Sequence, residues 1–215
     1  MRSELRLQRL EPLFFSPLAV FELADAAALN TRLVAEALAR RAHSPGLQRS
    51  NRRGWHSEDD LFSRDEPGAQ ALCEHIVDAV SHLTEQVSPH FDLDGHDLQL
   101  EGWINVLADG GLNAPHDHPG WVWSGCYYAQ VPDDVSGPAS AGEGAIEFLD
   151  SRTNVRTLTV DGAACFASKH RVQPRAGQLL IFPSWLRHWV EPHHAADALR
   201  VSIAFNARFL RRDLA

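Results

Sequence analysis

From residue 98 onward the chain is a succession of short runs rich in β-branched and aromatic residues, separated by turn formers: LQLEGWINVL, WVWSGCYYAQV, AIEFL, QLLIF, LRHWV and LRVSIAF. That many strands in a row, with no helices between them, predicts a barrel or sandwich rather than βαβ units. The first half reads differently. Over residues 25–41 an Ala-rich stretch sets Leu29, Leu33, Val34 and Leu38 at helical spacing, and His43-Ser44-Pro45-Gly46 supplies breakers. A second helix starts with Pro67 in its first turn and carries Leu72, Ile76, Val80, Leu83 and Val87 along one stripe. The segregation predicts an α+β fold with the N-terminal helices packed on the outside of a sheet. At 215 residues, 44% of them hydrophobic, the chain can bury the core of one domain, with residues 1–95 as mainly helical support and 96–210 as the β core.

Composition excludes several partners. The formal net charge of −8 opposes a phosphate backbone, so no nucleic acid is expected. No apolar run approaches the roughly 20 residues that span a bilayer, and MRSELRLQRLEPLFF is charged where a signal peptide is apolar, so the expected location is cytoplasmic without a membrane partner. Cys73, Cys126 and Cys165 are odd in number, widely spaced and beside apolar residues, which reads as buried thiols. Residues 132–144 (PDDVSGPASAGEG) and 51–68 read as polar loops, either of which could cover a site. Oligomeric state is open, and a homodimer is compatible with the sequence.

Two motifs carry chemistry. In Asn113-Ala114-Pro115-His116-Asp117-His118-Pro119, an extended backbone points His116 and His118 to the same face, where one metal could take both. In Phe182-Pro183-Ser184-Trp185-Leu186-Arg187-His188, a Pro-Ser turn leads into a strand bearing a third imidazole. A close pair and a distant third ligand suit a facial site that leaves coordination positions open. Twelve histidines are present, and His43, His82, His90, His96, His193 and His194 read as solvated.

The second motif is Leu199-Arg200-Val201-Ser202-Ile203-Ala204-Phe205-Asn206. Its alternation sends the four apolar side chains one way and Arg200, Ser202, Ala204 and Asn206 the other, so the second face can line a polar pocket. An Arg forks onto a carboxylate bidentately, and a hydroxyl two residues on adds a hydrogen bond from the same side. Surface pairing of Arg200 with one of the 28 acidic residues is the plainer alternative.

Taken together, His116-Asp117-His118, His188 and Arg200-Val201-Ser202 resemble the pattern of the 2-oxoglutarate/Fe(II) oxygenase superfamily. Asn105-Val106-Leu107-Ala108-Asp109-Gly110 precedes the first histidine at a spacing seen in members whose Asn touches the cosubstrate. Leu13-Phe14-Phe15-Ser16-Pro17-Leu18, Ser124-Gly125-Cys126-Tyr127-Tyr128 and Phe182-Pro183-Ser184-Trp185 are similar to a largely uncharacterised bacterial branch, over nearly the whole chain. The resemblance implies a double-stranded β-helix, a jelly-roll or cupin-like barrel. It implies Fe(II) on His116, His118 and His188, and 2-oxoglutarate held by Arg200 and Ser202 and oriented by Asn105 or Tyr127. It also implies oxidation of a small-molecule or peptide substrate.

The departure from the family pattern is His118 in place of the usual carboxylate. Either the metal accepts three imidazoles, or the segment bulges so that Asp117 coordinates. Pro115 and Pro119 bracket a stretch that should stay extended, which favours three histidines. Two other readings are a cupin-like three-histidine dioxygenase that does not use 2-oxoglutarate, and a metal-binding β-barrel without catalysis. Of six tryptophans, Trp123 and Trp185, close in sequence to the proposed ligands, are candidates for substrate contact. Arg52 and Arg53 could serve an acidic substrate.

Overall fold

In a computed structural model, which describes residues 6–132, 143–152 and 158–212, the strands form one curled, antiparallel sheet. The elements are β1 (Ala19–Glu22), α1 (Ala27–His43), β2 (Asn51–His56), α2 (Pro67–Val87), β3 (His96–His116), β4 (Trp123–Gln130), β5 (Ile146–Leu149), β6 (Lys169–Val172), β7 (Gln178–Pro183), β8 (His188–Val190) and β9 (Arg200–Arg211). Hydrogen bonding orders them β1-β7-β4-β9-β3-β8-β5-β6, with β2 paired to β3. The sheet curls into two layers, the double-stranded β-helix that the family resemblance implies and one form of the barrel that the strand-rich half predicts.

The strand that joins the layers is β3. Its first half pairs with β9 from His96↔Arg211 to Leu107↔Arg200, and its end pairs with β8 at Asn113↔Val190 and His116↔His188. Between them lies Gly110-Gly111. Gly110 has φ +68°, which favours glycine, and a Cβ on Gly111 would stand 2.8 Å from the Ala108 carbonyl oxygen. The pairing strand answers with a register shift between Arg52 and Gly54. This bend carries the chain from the helix-backed layer to the one that bears His116.

The two faces of the helix-backed layer differ as the alternation of β9 predicts. Val201, Ile203 and Phe205 join Ile104, Val106, Trp123 and Tyr127 under Leu33 and Ala37 of α1 and Leu72, Ile76, Val80 and Leu83 of α2. Glu36 of α1 accepts hydrogen bonds from the Gly68 and Ala69 amides at 2.7 and 3.1 Å, satisfying the free donors of the α2 N-terminus. On the other face, Cys126, Tyr128, Phe148, Leu180 and Phe182 fill the space between the layers.

Gly125 lets the two faces meet in the middle of β4. A Cβ there would lie 2.3 Å from Cζ of Phe205 and 2.5 Å from the Leu180 carbonyl oxygen, and the latter is backbone that cannot step aside. Gly125→Ala should therefore destabilise the protein by about 1–3 kcal/mol, as overpacking does. An unchanged urea midpoint in that variant would refute the close approach.

Several expectations need correction. The stretch 51–68 is not all loop: Asn51–His56 forms β2, because β3 supplies its hydrogen-bond partners. Of the cysteines, only Cys126 is buried, Cys73 is half-buried and Cys165 is exposed. His193 is buried, not solvated, with Nε2 3.2 Å from the Leu107 carbonyl oxygen. Most of the loop expected at 132–144 lies outside the described residues.

Candidate metal and cosubstrate site

Between the layers lies a cavity of about 270 Å³ whose floor is built by two paired strands. From β9 come Arg200, Ser202, Ala204 and Asn206, the face that alternation assigns to a pocket. Opposite Ser202, Ala204 and Asn206 stand Asn105, Trp103 and Glu101 of β3, which also line it. His116, His118 and His188 close it from the other layer.

The three imidazoles converge as expected: ring centroids are 4.9 Å apart for His116 and His118, 4.5 Å for His116 and His188, and 5.3 Å for His118 and His188. One ligand atom from each lies within 4.8 Å of the others. His116 is the last residue of β3, whereas His118 lies just beyond it, where its amide donates to the Ser184 carbonyl at 2.9 Å. That bond links the close pair to the turn before β8. The Nδ1 atoms of His116 and His188 are 2.7 and 2.9 Å from the carbonyl oxygens of Ala114 and Leu186, so each Nδ1 carries the proton and Nε2 keeps a lone pair for a metal. Asp117 lines the cavity but stands outside the cluster, which disfavours a bulge that would make it a ligand.

Burial first, then the neighbouring His116, drives His118 and His188 down to about 3, and burial lowers His116 as well. All three are neutral near pH 7, as ligation requires. The linkage has a definite sign. The unfolded chain takes up protons near pH 6.5 while the native site refuses them until about pH 3, so stability present above pH 6.5 is lost as pH falls through this window. The urea midpoint of the metal-free protein should fall between pH 7 and pH 5, a range in which most carboxylates stay ionised. A variant carrying His118→Asn and His188→Asn should show a flatter dependence, and an equal slope in both proteins would refute the assignment.

Arg200 is 1% exposed. One of its Nη atoms donates to the Gly144 carbonyl at 3.0 Å and its guanidinium sits 5.0 Å from the Tyr128 ring centroid, while Nε has no hydrogen-bond partner. No carboxylate among the described residues pairs with it, so the surface ion pair considered from sequence is absent there. A buried cation without a counter-ion is strongly unfavourable unless a ligand supplies one. The residues present therefore fit a carboxylate ligand, with Ser202 and Asn105 beside Arg200 in the same cavity.

Tyr127 is not part of this site. Its ring belongs to the helix-side core and its hydroxyl donates to Asn30 Oδ1 at 2.6 Å. Strand parity gives the cavity side to Tyr128, whose hydroxyl is buried without a partner. Trp123 likewise faces the helices, with Nε1 donating to Thr84 Oγ1 at 3.0 Å, and Trp185 is 50% exposed and does not line the cavity. The lining tryptophan is Trp103, stacked on His56 at 5.6 Å and 10° and lying 5.6 Å from His118. Arg52 and Arg53 are exposed and do not line it either. Sequence reasoning passed over Glu101, Trp103 and Asn113, although the first two share the parity of Asn105, which was singled out.

Residues 101–206 match the family model described as "Putative 2OG-Fe(II) oxygenase". No curated protein matches the chain. Among solved structures, a Pseudomonas putida prolyl-4-hydroxylase superposes with TM-score 0.57 at 19% identity, over 91% of this chain and 92% of that one. The α-ketoglutarate-dependent epimerase SnoN from nogalamycin biosynthesis gives 0.59 at 16% identity, over 93% and 83%. HygX from Streptomyces hygroscopicus, solved with nickel, 2-oxoglutarate and hygromycin B, gives 0.55 at 14% identity, over 89% and 82%. These likenesses are of fold.

Proposed function

We propose that the chain is a 2-oxoglutarate/Fe(II) oxygenase, the family whose model matches residues 101–206, and that this cavity is its active site, with Fe(II) on His116, His118 and His188 and 2-oxoglutarate on Arg200. The observation that carries the reading is the placement of a buried Arg200, which pairs with no carboxylate among the described residues, in the same cavity as three converging, neutral imidazoles. Bound iron and 2-oxoglutarate together supply the reaction with O2 that releases succinate and CO2 and places one oxygen atom on a substrate C–H bond.

The chain's own residues bind and orient. Arg200 provides a charged donor for the distal carboxylate, and Ser202, on the same face of β9, adds a neutral one. The Tyr128 hydroxyl, which burial holds far above the usual phenol range, remains a protonated donor beside the guanidinium. Asn105 lines the floor opposite Ser202, where its amide can meet the cosubstrate. Phe182 and Ile146 wall the cavity and keep water from its inner end. With His118 in place of a carboxylate, the metal keeps one more unit of positive charge, which favours its reduced state.

A cupin-like dioxygenase that binds its substrate directly to the metal is favoured by the third imidazole, but it gives Arg200 no task. Adding 2-oxoglutarate to the anaerobic Fe(II)-loaded protein distinguishes the two. A weak visible charge-transfer band is expected, and bound iron without a band would refute the oxygenase reading. No described helix is long and apolar enough to cross a membrane. The free thiols support a reducing, cytoplasmic location.

A further inference from the structure

The cavity floor is electrically polarised. Arg200 lies at one end, and six residues along β9, roughly 20 Å at ~3.3 Å per residue, Asn206 faces Glu101 at the other. Asn206 is fixed from both sides: its Oδ1 accepts from Ser124 Oγ at 2.6 Å and its Nδ2 donates to Glu101 Oε1 at 2.7 Å. The same Nδ2 is 3.5 Å from His118 Nδ1, so the Glu101 carboxylate is held one amide away from the metal cluster. Its other oxygen has no partner among the described residues.

The remaining charges reinforce this polarity. Arg49 and Asp59 both line the cavity and neutralise each other at 2.6 Å. Asp117 lines it as well and, like Glu101, pairs with no basic side chain among the described residues. Away from Arg200, three carboxylates thus stand against one guanidinium. Trp103, two residues along β3 from Glu101, adds an aromatic surface next to His118. An anionic substrate would be repelled here, whereas an ammonium or guanidinium group gains both the carboxylate and the ring.

Resting on the oxygenase reading above, we infer that the substrate carries an ammonium or guanidinium group that docks on Glu101 beside Trp103 and presents a neighbouring C–H bond to the metal, at the opposite end of the floor from the cosubstrate carboxylate. The cavity, at about 270 Å³, is smaller than the ~300 Å³ lower bound typical of drug-sized ligands. Part of it is taken by the cosubstrate, so the portion of substrate that enters is the size of one amino-acid side chain.

The test uses the anaerobic protein loaded with Fe(II) and 2-oxoglutarate, whose visible band shifts when a substrate approaches the metal. Lysine and arginine, as Nα-acetyl amides and within blocked tripeptides, so that only the side chain carries charge, are titrated against the neutral isosteres norleucine and citrulline and against glutamate in the same forms. At least one cationic member should bind about tenfold or more tightly than its neutral partner, the equivalent of ~1.4 kcal/mol. That preference should shrink to about twofold or less in Glu101→Gln, which keeps the acceptor for Asn206. The single-residue amides and the tripeptides distinguish a small-molecule from a peptide source of the same group. Equal responses of cationic and neutral partners, nil included, overturn the inference, as does a preference that survives in Glu101→Gln. Loss of the band itself in that variant would assign Glu101 to the metal site and overturn the substrate role. No band in the unaltered protein is the separate failure of the oxygenase reading.

Discussion

Arg200→Ala should weaken 2-oxoglutarate binding between about 100-fold and several thousandfold while the protein still takes up iron. Removing one partner of a buried, hydrogen-bonded charge pair costs about 3–5 kcal/mol, and tenfold in affinity corresponds to ~1.4 kcal/mol. Arg200 is fully buried with its Nε unsatisfied, and the other arginine lining the cavity among the described residues, Arg49, is paired with Asp59. Anaerobic titration of the iron-loaded variant measures the effect, and wild-type affinity would refute the role. A second readout separates ligand binding from structural support. If Arg200 were a structural residue, replacing it would unfold the protein. Because no carboxylate among the described residues compensates its buried charge, Arg200→Met should leave the ligand-free protein at least as stable as the parent. A large drop in its urea midpoint would show that Arg200 instead props the fold.

His188→Ala and His118→Ala should each lower Fe(II) affinity by more than about 100-fold, since even partners that merely orient a ligand contribute 10- to 100-fold. Asp117→Asn should leave metal affinity within about twofold. The contrast follows from geometry: the ligand atoms of the three histidines lie within 4.8 Å of one another and Asp117 is outside the group. Metal content after dialysis against a graded chelator decides it. A variant at Asp117 that loses iron while His118→Ala keeps it would reverse the assignment. His118→Asp should retain iron, because it restores a carboxylate at the position that carries one in the usual family pattern.

The site was more legible than the fold around it, and the reason lies in strand periodicity. In β9 the cavity face is polar and the helix face apolar, so a period of two separates Arg200, Ser202, Ala204 and Asn206 from Val201, Ile203 and Phe205 without any structure. β4 gives no such signal. Flanked by β7 and β9 and covered on both faces, it buries every residue from Trp123 to Ala129, so nothing in its composition says which of Tyr127 and Tyr128 faces the cavity. The choice of Tyr127 failed for that reason. The strand β2 was invisible for another: NRRGWH has no apolar alternation, and Arg53 adopts φ +53°, so the segment is extended only because β3 lies alongside. The converging histidines were legible from spacing, while the neutral state of His118 and His188 depends on burial that no local pattern encodes.

The pairing of β3 with β9 also dictates an order of events during folding. Twelve consecutive residue pairs, from His96↔Arg211 to Leu107↔Arg200, join segments roughly a hundred residues apart in the chain. Closing a loop of that length must precede any reward from the ladder, which makes such topologies slow. While a nascent chain is being extended, α1 and α2 can form locally, but β3 waits with one edge unsatisfied until β9 is synthesised. The proposed metal site waits too, because His116 and His188 become neighbours only through the pairing of β3 with β8. The protein therefore acquires its floor, its buried cation and its cluster of three imidazoles together and late, and the interval before that is when the exposed edge of β3 is open to aggregation.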